Sequence, residues 1–123
     1  MEQRFAACQA GQSACPFEMT ADEFMKLQNE SVLYYYRYML LFQMNDFDRV
    51  VRDTAHNLRV SELVDLYYPD EEGRSSVLQF RPYIIRMNAM ARSMQSLQQN
   101  EIANCVKILG DAIETIEALD PLP

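Results

Sequence analysis

The stretch of sequence that decides the fold is residues 32–58, VLYYYRYMLLFQMNDFDRVVRDTAHNL. Its apolar first half is interrupted at Asn45-Asp46, after which apolar residues recur at helical spacing. Asn and Asp hydrogen-bond nearby backbone amides and are favoured at helix ends, so this pair is predicted to close one helix and cap the next. Because so short a connection makes the two helices antiparallel neighbours, the sequence predicts a helical hairpin.

The second helix of this hairpin is predicted to have an apolar and a polar side. The apolar side, expected to pack on the first helix, carries Phe47, Val50, Val51, Thr54 and Leu58. The polar side, expected to face solvent, carries Asp48, Arg49, Arg52, Asp53 and His56. The arginines of this side can hold an acidic partner or a phosphate, but each has an acid nearby on its own helix, which favours a solvated face.

The same pattern recurs 55 positions later, from Asn45-Asp46 to Asn100-Glu101. Two similar hairpins predict an all-α fold of four antiparallel helices, arranged as a closed bundle or as an open superhelix. The chain is divided accordingly into a flexible N-terminal tail, residues 1–19, and a single four-helix domain, residues 20–119, with hairpins at residues 20–68 and 75–119.

Local signals predict where the helices begin and end. Helix one starts at Thr20, because Thr20 and Glu23 match a capping box. Residues 69–74, PDEEGR, predict the loop between the hairpins. Because Pro82 lies inside the pattern of helix three, that helix is expected either to begin properly near Arg81 or to kink there. Helix four, about residues 100–119, is expected to bury Ile102, Cys105, Val106, Leu109, Ile113 and Ile116.

Composition and charge exclude several classes of protein. About half of the 123 residues are apolar, which is enough for one core without disulfides or metal. The net charge of -7 argues against direct nucleic-acid binding, which needs an excess of Lys and Arg. No run approaches the ~18 apolar residues of a membrane span, and the N-terminus has no basic start followed by an apolar core. A cytoplasmic location is the default expectation, and three cysteines, an odd number, agree with a reducing compartment.

The residues needed for catalysis or for cofactor binding are scarce. Cys8 and Cys15, helped only by His56, cannot fill a tetrahedral zinc site, although pairing or a site shared across a dimer stays open. A di-iron site needs two Glu-x-x-His motifs, haem attachment needs Cys-x-x-Cys-His, and a nucleophile needs a base; the single histidine satisfies none of these. The sequence therefore predicts a protein that is not an enzyme and has no metal or cofactor.

The segments NDFDRVV (residues 45–51) and NEIANCV (residues 100–106) resemble the middle of tetratricopeptide-type repeats. The second copy has Ser93, Cys105 and Ala112 where that family packs small side chains, whereas Tyr38, Val50 and Asn57 stand at these positions in the first. The period of 55 also exceeds the family's period of about 34, which implies longer helices. Residues 90–116 resemble the UvrB/UvrC-type helical hairpin more weakly, through Met94, Asn100, Leu109, Asp111 and Ile113.

The tetratricopeptide resemblance implies a protein-binding module whose groove is lined by helices one and three. These helices carry the surplus of tyrosine, methionine and arginine, which are residue types enriched at interfaces. The expected partner-binding residues are Tyr34, Tyr36, Arg37, Arg86 and Met90.

Two other functions remain open at this point. One is an acidic inhibitor or nucleic-acid mimic that blocks a basic site, which the net charge favours. The other is a homo-oligomeric structural protein, such as a homo-dimer formed through a second apolar stripe of helix one. In the interpretation as a protein-binding module, the partner is another protein, and no direct contact with nucleic acid or a membrane is expected.

Overall fold

The computed structural model describes residues 18–119, and within this range all regular structure is helical. The predicted all-α class is confirmed. Cys8 and Cys15 lie outside the described residues, as does most of the predicted tail. The five helices of the described range are α1 (Ala21–Gln43), α2 (Phe47–Tyr67), α3 (Glu71–Leu78), α4 (Arg81–Gln98) and α5 (Ile102–Glu117).

The capping box predicted at the start of α1 is confirmed. The hydroxyl of Thr20 accepts a hydrogen bond from the backbone N–H of Glu23 at 3.1 Å, and the N–H of Thr20 donates to the carboxylate of Glu23 at 2.9 Å. The residue just before the cap departs from the prediction, because Met19 is not part of a tail. Its side chain is buried and its N–H donates to the carbonyl of Tyr67 at 2.9 Å, so it joins the core at the far end of α2.

The α1–α2 turn at Asn45 ends the first helix with a Schellman motif. Asn45 has a left-handed backbone with φ of 62°, a conformation that Asn tolerates better than most residues. Its N–H donates to the carbonyl of Phe42 at 3.0 Å, and the N–H of Asp46 donates to the carbonyl of Leu41 at 2.9 Å. These two bonds satisfy carbonyl groups that the helix end leaves unpaired, and Asp46 then caps α2.

The α4–α5 turn repeats this arrangement 55 positions later. Asn100 has φ of 60°, its N–H donates to the carbonyl of Leu97 at 3.0 Å, and the N–H of Glu101 donates to the carbonyl of Ser96 at 2.8 Å. Donors and acceptors in the two turns correspond residue by residue under the same shift. The internal repeat expected from the sequence is thus present in the backbone of both turns.

The segment between the hairpins contains a short helix where a loop was expected. Asp70 accepts a hydrogen bond from the N–H of Gly73 at 3.0 Å, and Glu71 and Glu72 lie at the positive end of the helix dipole. These local interactions allow α3 to form from a stretch whose Pro and Gly had predicted a loop. Of the two alternatives for Pro82, a new helix at Arg81 is the correct one, because Pro82 lies in the first turn of α4.

The four long helices form an open row in which α2 is central. It packs against α1 on one side and α4 on the other, and α4 packs in turn against α5. In the described range α5 has no comparable contact with α1 or α2, so the row does not close into a ring. The core is divided between the two ends of the α1–α2 pair, with one cluster around Phe24 and Val64 and a second around Tyr38, Phe47 and Val50.

Two burial predictions are wrong, and the neighbouring helices explain both. Asp53 was expected to face solvent but is 1% exposed, because α1 presents Arg37 to it. The apolar stripe of α5 was expected to be buried, but only Cys105 among its six residues is, and Ile102 is 67% exposed. No described helix covers the side of α5 that faces away from α4.

Candidate functional site

A groove of about 650 Å³ runs between α1 and α4. We call it the α1–α4 groove. Both helices pack on α2, which forms the floor together with Tyr38, and Val77 of α3 contributes at one end. Its volume lies within the range of pockets that hold small ligands or the anchoring side chains of a partner.

The walls of the groove follow one spacing on both helices. The residues that line it recur at i, i+3, i+4 and i+7, so each set lies along one face of its helix. On α1 these are Val32, Tyr35, Tyr36 and Met39, and beside and within α4 they are Phe80, Tyr83, Ile84 and Met87. Tyr35, Tyr36, Phe80 and Tyr83 are exposed, so four aromatic rings surround the opening.

The floor contains polar groups that the described residues leave unpaired. Asn57 is 4% exposed; its side-chain N–H donates to the carbonyl of Ser31 at 3.1 Å, but its Oδ1 accepts no hydrogen bond. The hydroxyl of Ser31 has no partner among the described residues either. An unsatisfied buried acceptor costs about 1–3 kcal/mol, so a ligand that donates a hydrogen bond here would recover part of that free energy.

Tyr38 completes the floor as a neutral phenol. Burial raises the pKa of Tyr38 to about 12; the neighbouring Tyr35 acts in the same direction, and a hydrogen bond with the Asn57 side chain acts against it. The phenol therefore stays protonated near neutral pH. The groove combines apolar walls with a small uncharged polar floor, a combination typical of sites that select both shape and hydrogen bonding.

The five partner-binding residues predicted from the sequence do not lie in one place. Tyr36 and Arg86 both line the groove. Arg86 has no ion-pair partner within residues 18–119, so its charge is free to meet a carboxylate. Met90 lies further along α4 and is not among the lining residues.

Tyr34 and Arg37 belong instead to a contact between α1 and α2. Arg37 donates two hydrogen bonds to the buried Asp53, from Nε to Oδ2 at 2.7 Å and from Nη2 to Oδ1 at 2.6 Å. These bonds raise the pKa of Arg37 above its usual value. Its guanidinium lies 4.6 Å from the ring centre of Tyr34, which stacks on His56 at 4.0 Å. This pairing has a clear structural role, because it allows a carboxylate to be buried between two helices.

Sequence reasoning did not predict several of the residues that line the groove. Asn57, Ser31, Phe80 and Tyr83 all line it and were not among the predicted partner-binding residues. A signal for the floor was present in α2, where Asp53, Asn57 and Ser61 place polar side chains at i, i+4 and i+8 on the side that faces α1. Polar groups repeated on a buried helix face indicate specific partners, from the protein itself or from a ligand.

The described residues contain no cluster of three or more His, Cys, Asp or Glu side chains that would hold a metal ion. None of the described helices combines the length and the apolar character needed to cross a bilayer. A scan against protein-family models, a search of curated proteins and a search of solved structures each found no match to the chain. The resemblance to tetratricopeptide repeats therefore stays a prediction.

Proposed function

We propose that the protein is a non-enzymatic interaction module that binds a helical segment of another protein in the α1–α4 groove. The observation that carries this proposal is the combination of an apolar groove with unpaired buried acceptors, Asn57 Oδ1 and Ser31 Oγ, on its floor. A groove that served packing alone would gain nothing from these acceptors, because each costs free energy when left dry and unpaired.

The chemistry of the groove favours an amphipathic helix as its occupant. Apolar side chains at i, i+3, i+4 and i+7 of such a helix would lie along a cleft whose two walls have the same periodicity. An inserted tyrosine or tryptophan would occupy part of the groove and donate its O–H or N–H to Asn57 Oδ1, once the amide turns to expose this buried oxygen. Arg86 at the wall would pair with a carboxylate of the same helix. Tyrosine and arginine at the site are also the residue types that contribute most at interfaces.

The test is selection from a display library of helical peptides against the immobilised protein. The selected peptides are expected to be enriched in Tyr or Trp at one position and in Asp or Glu at another. The double variant Phe80→Ala/Tyr83→Ala should bind them at least about tenfold more weakly, a loss of about 1.4 kcal/mol. Leu66→Ala, which removes an exposed apolar side chain of α2 outside the groove, should bind them as the wild type does.

Equal binding of the selected peptides by the groove variant and by the wild type would contradict the proposal. A second experiment tests the hydrogen bond at the floor of the groove. The anchoring Tyr of a selected peptide is replaced by Phe, and the affinities of the two peptides are compared. Loss of affinity on that change would support a hydrogen bond at the floor, since Phe keeps the ring and lacks the donor.

An acidic inhibitor remains the second candidate, supported by the exposed carboxylates Asp111, Glu114 and Glu117 on α5. It predicts that partner binding falls steeply with salt and does not depend on Phe80 or Tyr83. A binding assay at two ionic strengths with the groove variant separates the two functions. A cytoplasmic location, the default expectation from the sequence, is part of both proposals.

A further inference from the structure

The interface between the two hairpins is formed by one face of α4 on one face of α2. Asn88 Nδ2 donates to Thr54 Oγ1 at 2.9 Å, and Gln95 Nε2 donates to Asp48 Oδ1 at 2.6 Å. Between these contacts, Ala91 packs in the cluster that contains Phe47 and Val50. The side chains that α4 contributes are thus spaced i, i+3 and i+7.

The same face exists on α1, where nothing in the described range covers it. Moving back by 55 positions, Asn88, Ala91 and Gln95 become Leu33, Tyr36 and Leu40. All three are exposed, although two of them are leucines. The other packed sides of α1 and α4 also correspond under this shift. The side of α1 that packs on α2 carries Tyr34, Tyr38 and Leu41. The side of α4 that faces α5 carries, at the corresponding positions, Ala89, Ser93 and Ser96.

The complementary face exists on α5 and is also uncovered. Moving forward by 55 positions, the residues Phe47, Val51, Thr54 and Leu58 of α2 become Ile102, Val106, Leu109 and Ile113. These four residues form the exposed apolar stripe of α5. One end of the row of helices therefore presents an α4-like face and the other end presents an α2-like face.

The two hydrogen-bonded pairs of the internal interface change in a consistent way at these two faces. The hydrogen-bonded pair Asn88–Thr54 is replaced by Leu33 and Leu109, and the pair Gln95–Asp48 is replaced by Leu40 and Ala103. In both cases the two partners change together from polar to apolar, so an α1–α5 contact of the same geometry would keep its complementarity.

One ion pair of the internal interface corresponds, under the same 55-position shift, to a pair of residues with the same charges. Arg81 of α4 lies 3.6 Å from Asp65 of α2. In the sequence, the same shift leads from this pair to Lys26 and Asp120. Asp120 lies outside the described residues, so this correspondence rests on sequence alone.

We propose that a second copy of the chain docks on α5, with α1 of one copy packing on α5 of the next as α4 packs on α2 within the chain. A second copy is the favoured occupant because both halves of the contact are present on this one chain. Symmetric pairing of α5 with α5 would instead leave the exposed α1 face, with Leu33, Tyr36 and Leu40, without a partner. A head-to-tail contact leaves a free face at each end, so repeated association builds a ring or an open filament.

The test uses one blocked face at a time. Leu33→Glu places a charge on the α1 face and Val106→Glu places one on the α5 face; both residues are well exposed, so the variants should fold, which circular dichroism checks. Leu66→Glu is the matched control, because Leu66 and Leu33 are each 70% exposed and Leu66 lies on neither face. Leu33 and Val106 do not line the α1–α4 groove, so the result does not depend on peptide binding there.

Sedimentation velocity from about 5 µM to about 500 µM reads out the association, a range that detects dissociation constants in the micromolar region. The wild type and Leu66→Glu should gain mass beyond a dimer of the 14.3 kDa chain as concentration rises, and each blocked variant alone should stay a monomer. An equimolar mixture of the two blocked variants should form a dimer and nothing larger, because one free face of each kind remains. A wild type that stays monomeric, or a Leu33→Glu variant that still associates, would overturn the proposal.

Discussion

Replacing Arg37 with alanine tests whether this residue stabilises the fold or binds a partner, as the sequence suggested. The substitution removes both hydrogen bonds to Asp53 and leaves a carboxylate that is 1% exposed without its counter-charge. Breaking a fully buried ion pair costs about 3–5 kcal/mol. Because 57% of the Arg37 side chain is exposed, water can approach the carboxylate after the truncation, and we expect a loss of about 2–3 kcal/mol.

The assay is urea unfolding followed by circular dichroism, arranged as a double-mutant cycle with Asp53→Ala. The coupling free energy between Arg37 and Asp53 should exceed about 1 kcal/mol. Arg92→Ala is the matched control: Arg92 stands 55 positions after Arg37 and is exposed, and the residue that corresponds to Asp53 is Ile108. It should change the free energy of unfolding by less than about 0.5 kcal/mol. If Arg37→Ala also changed the free energy of unfolding by less than about 0.5 kcal/mol, the structural role assigned to Arg37 would be refuted.

Two further predictions concern buried aromatic residues. Phe47→Ala should lower the free energy of unfolding by about 3–5 kcal/mol, because Phe47 is buried between helices. Ile102→Ala, at the corresponding exposed position, should lower that of the monomer by less than about 0.5 kcal/mol. Urea unfolding at low protein concentration compares the two variants, and equal losses would contradict the assigned packing. Since burial raises the pKa of Tyr38 to about 12, its neutral form stabilises the fold fully below about pH 10, and this contribution should be lost as pH rises towards 12. Tyr38→Phe should weaken that loss of stability above pH 10 and Tyr36→Phe should not; the same pH dependence in both variants would show that Tyr38 is not its source.

The groove and the stacking faces use different sides of α1. Val32, Tyr35 and Met39 face the groove, whereas Leu33 and Leu40 lie on the face that corresponds to the α2-facing side of α4. Tyr36 belongs to both sets. The two proposed interactions therefore meet at this one residue and are otherwise carried by different side chains of α1.

The sequence by itself determined the four long helices and the turn within each hairpin, although it predicted a loop where α3 forms. The residues that end or cap these helices form hydrogen bonds to residues within five positions, so their roles can be predicted without knowledge of any distant neighbour. They are Thr20, Asn45, Asp46 and Asn100. The 55-position repeat was legible for the same reason, since it is carried by two turns of the same local geometry.

Which faces are buried was decided only by the tertiary structure. The polar Asp53 is buried because Arg37 reaches it from another helix, and the apolar Ile102 is exposed because no described helix packs beside it. Likewise, the groove exists only because α1 and α4 both pack on α2 and leave a gap between them. Burial is a property of a residue together with the neighbour that covers it, and periodicity along one helix predicts that a face is apolar but not what lies against it.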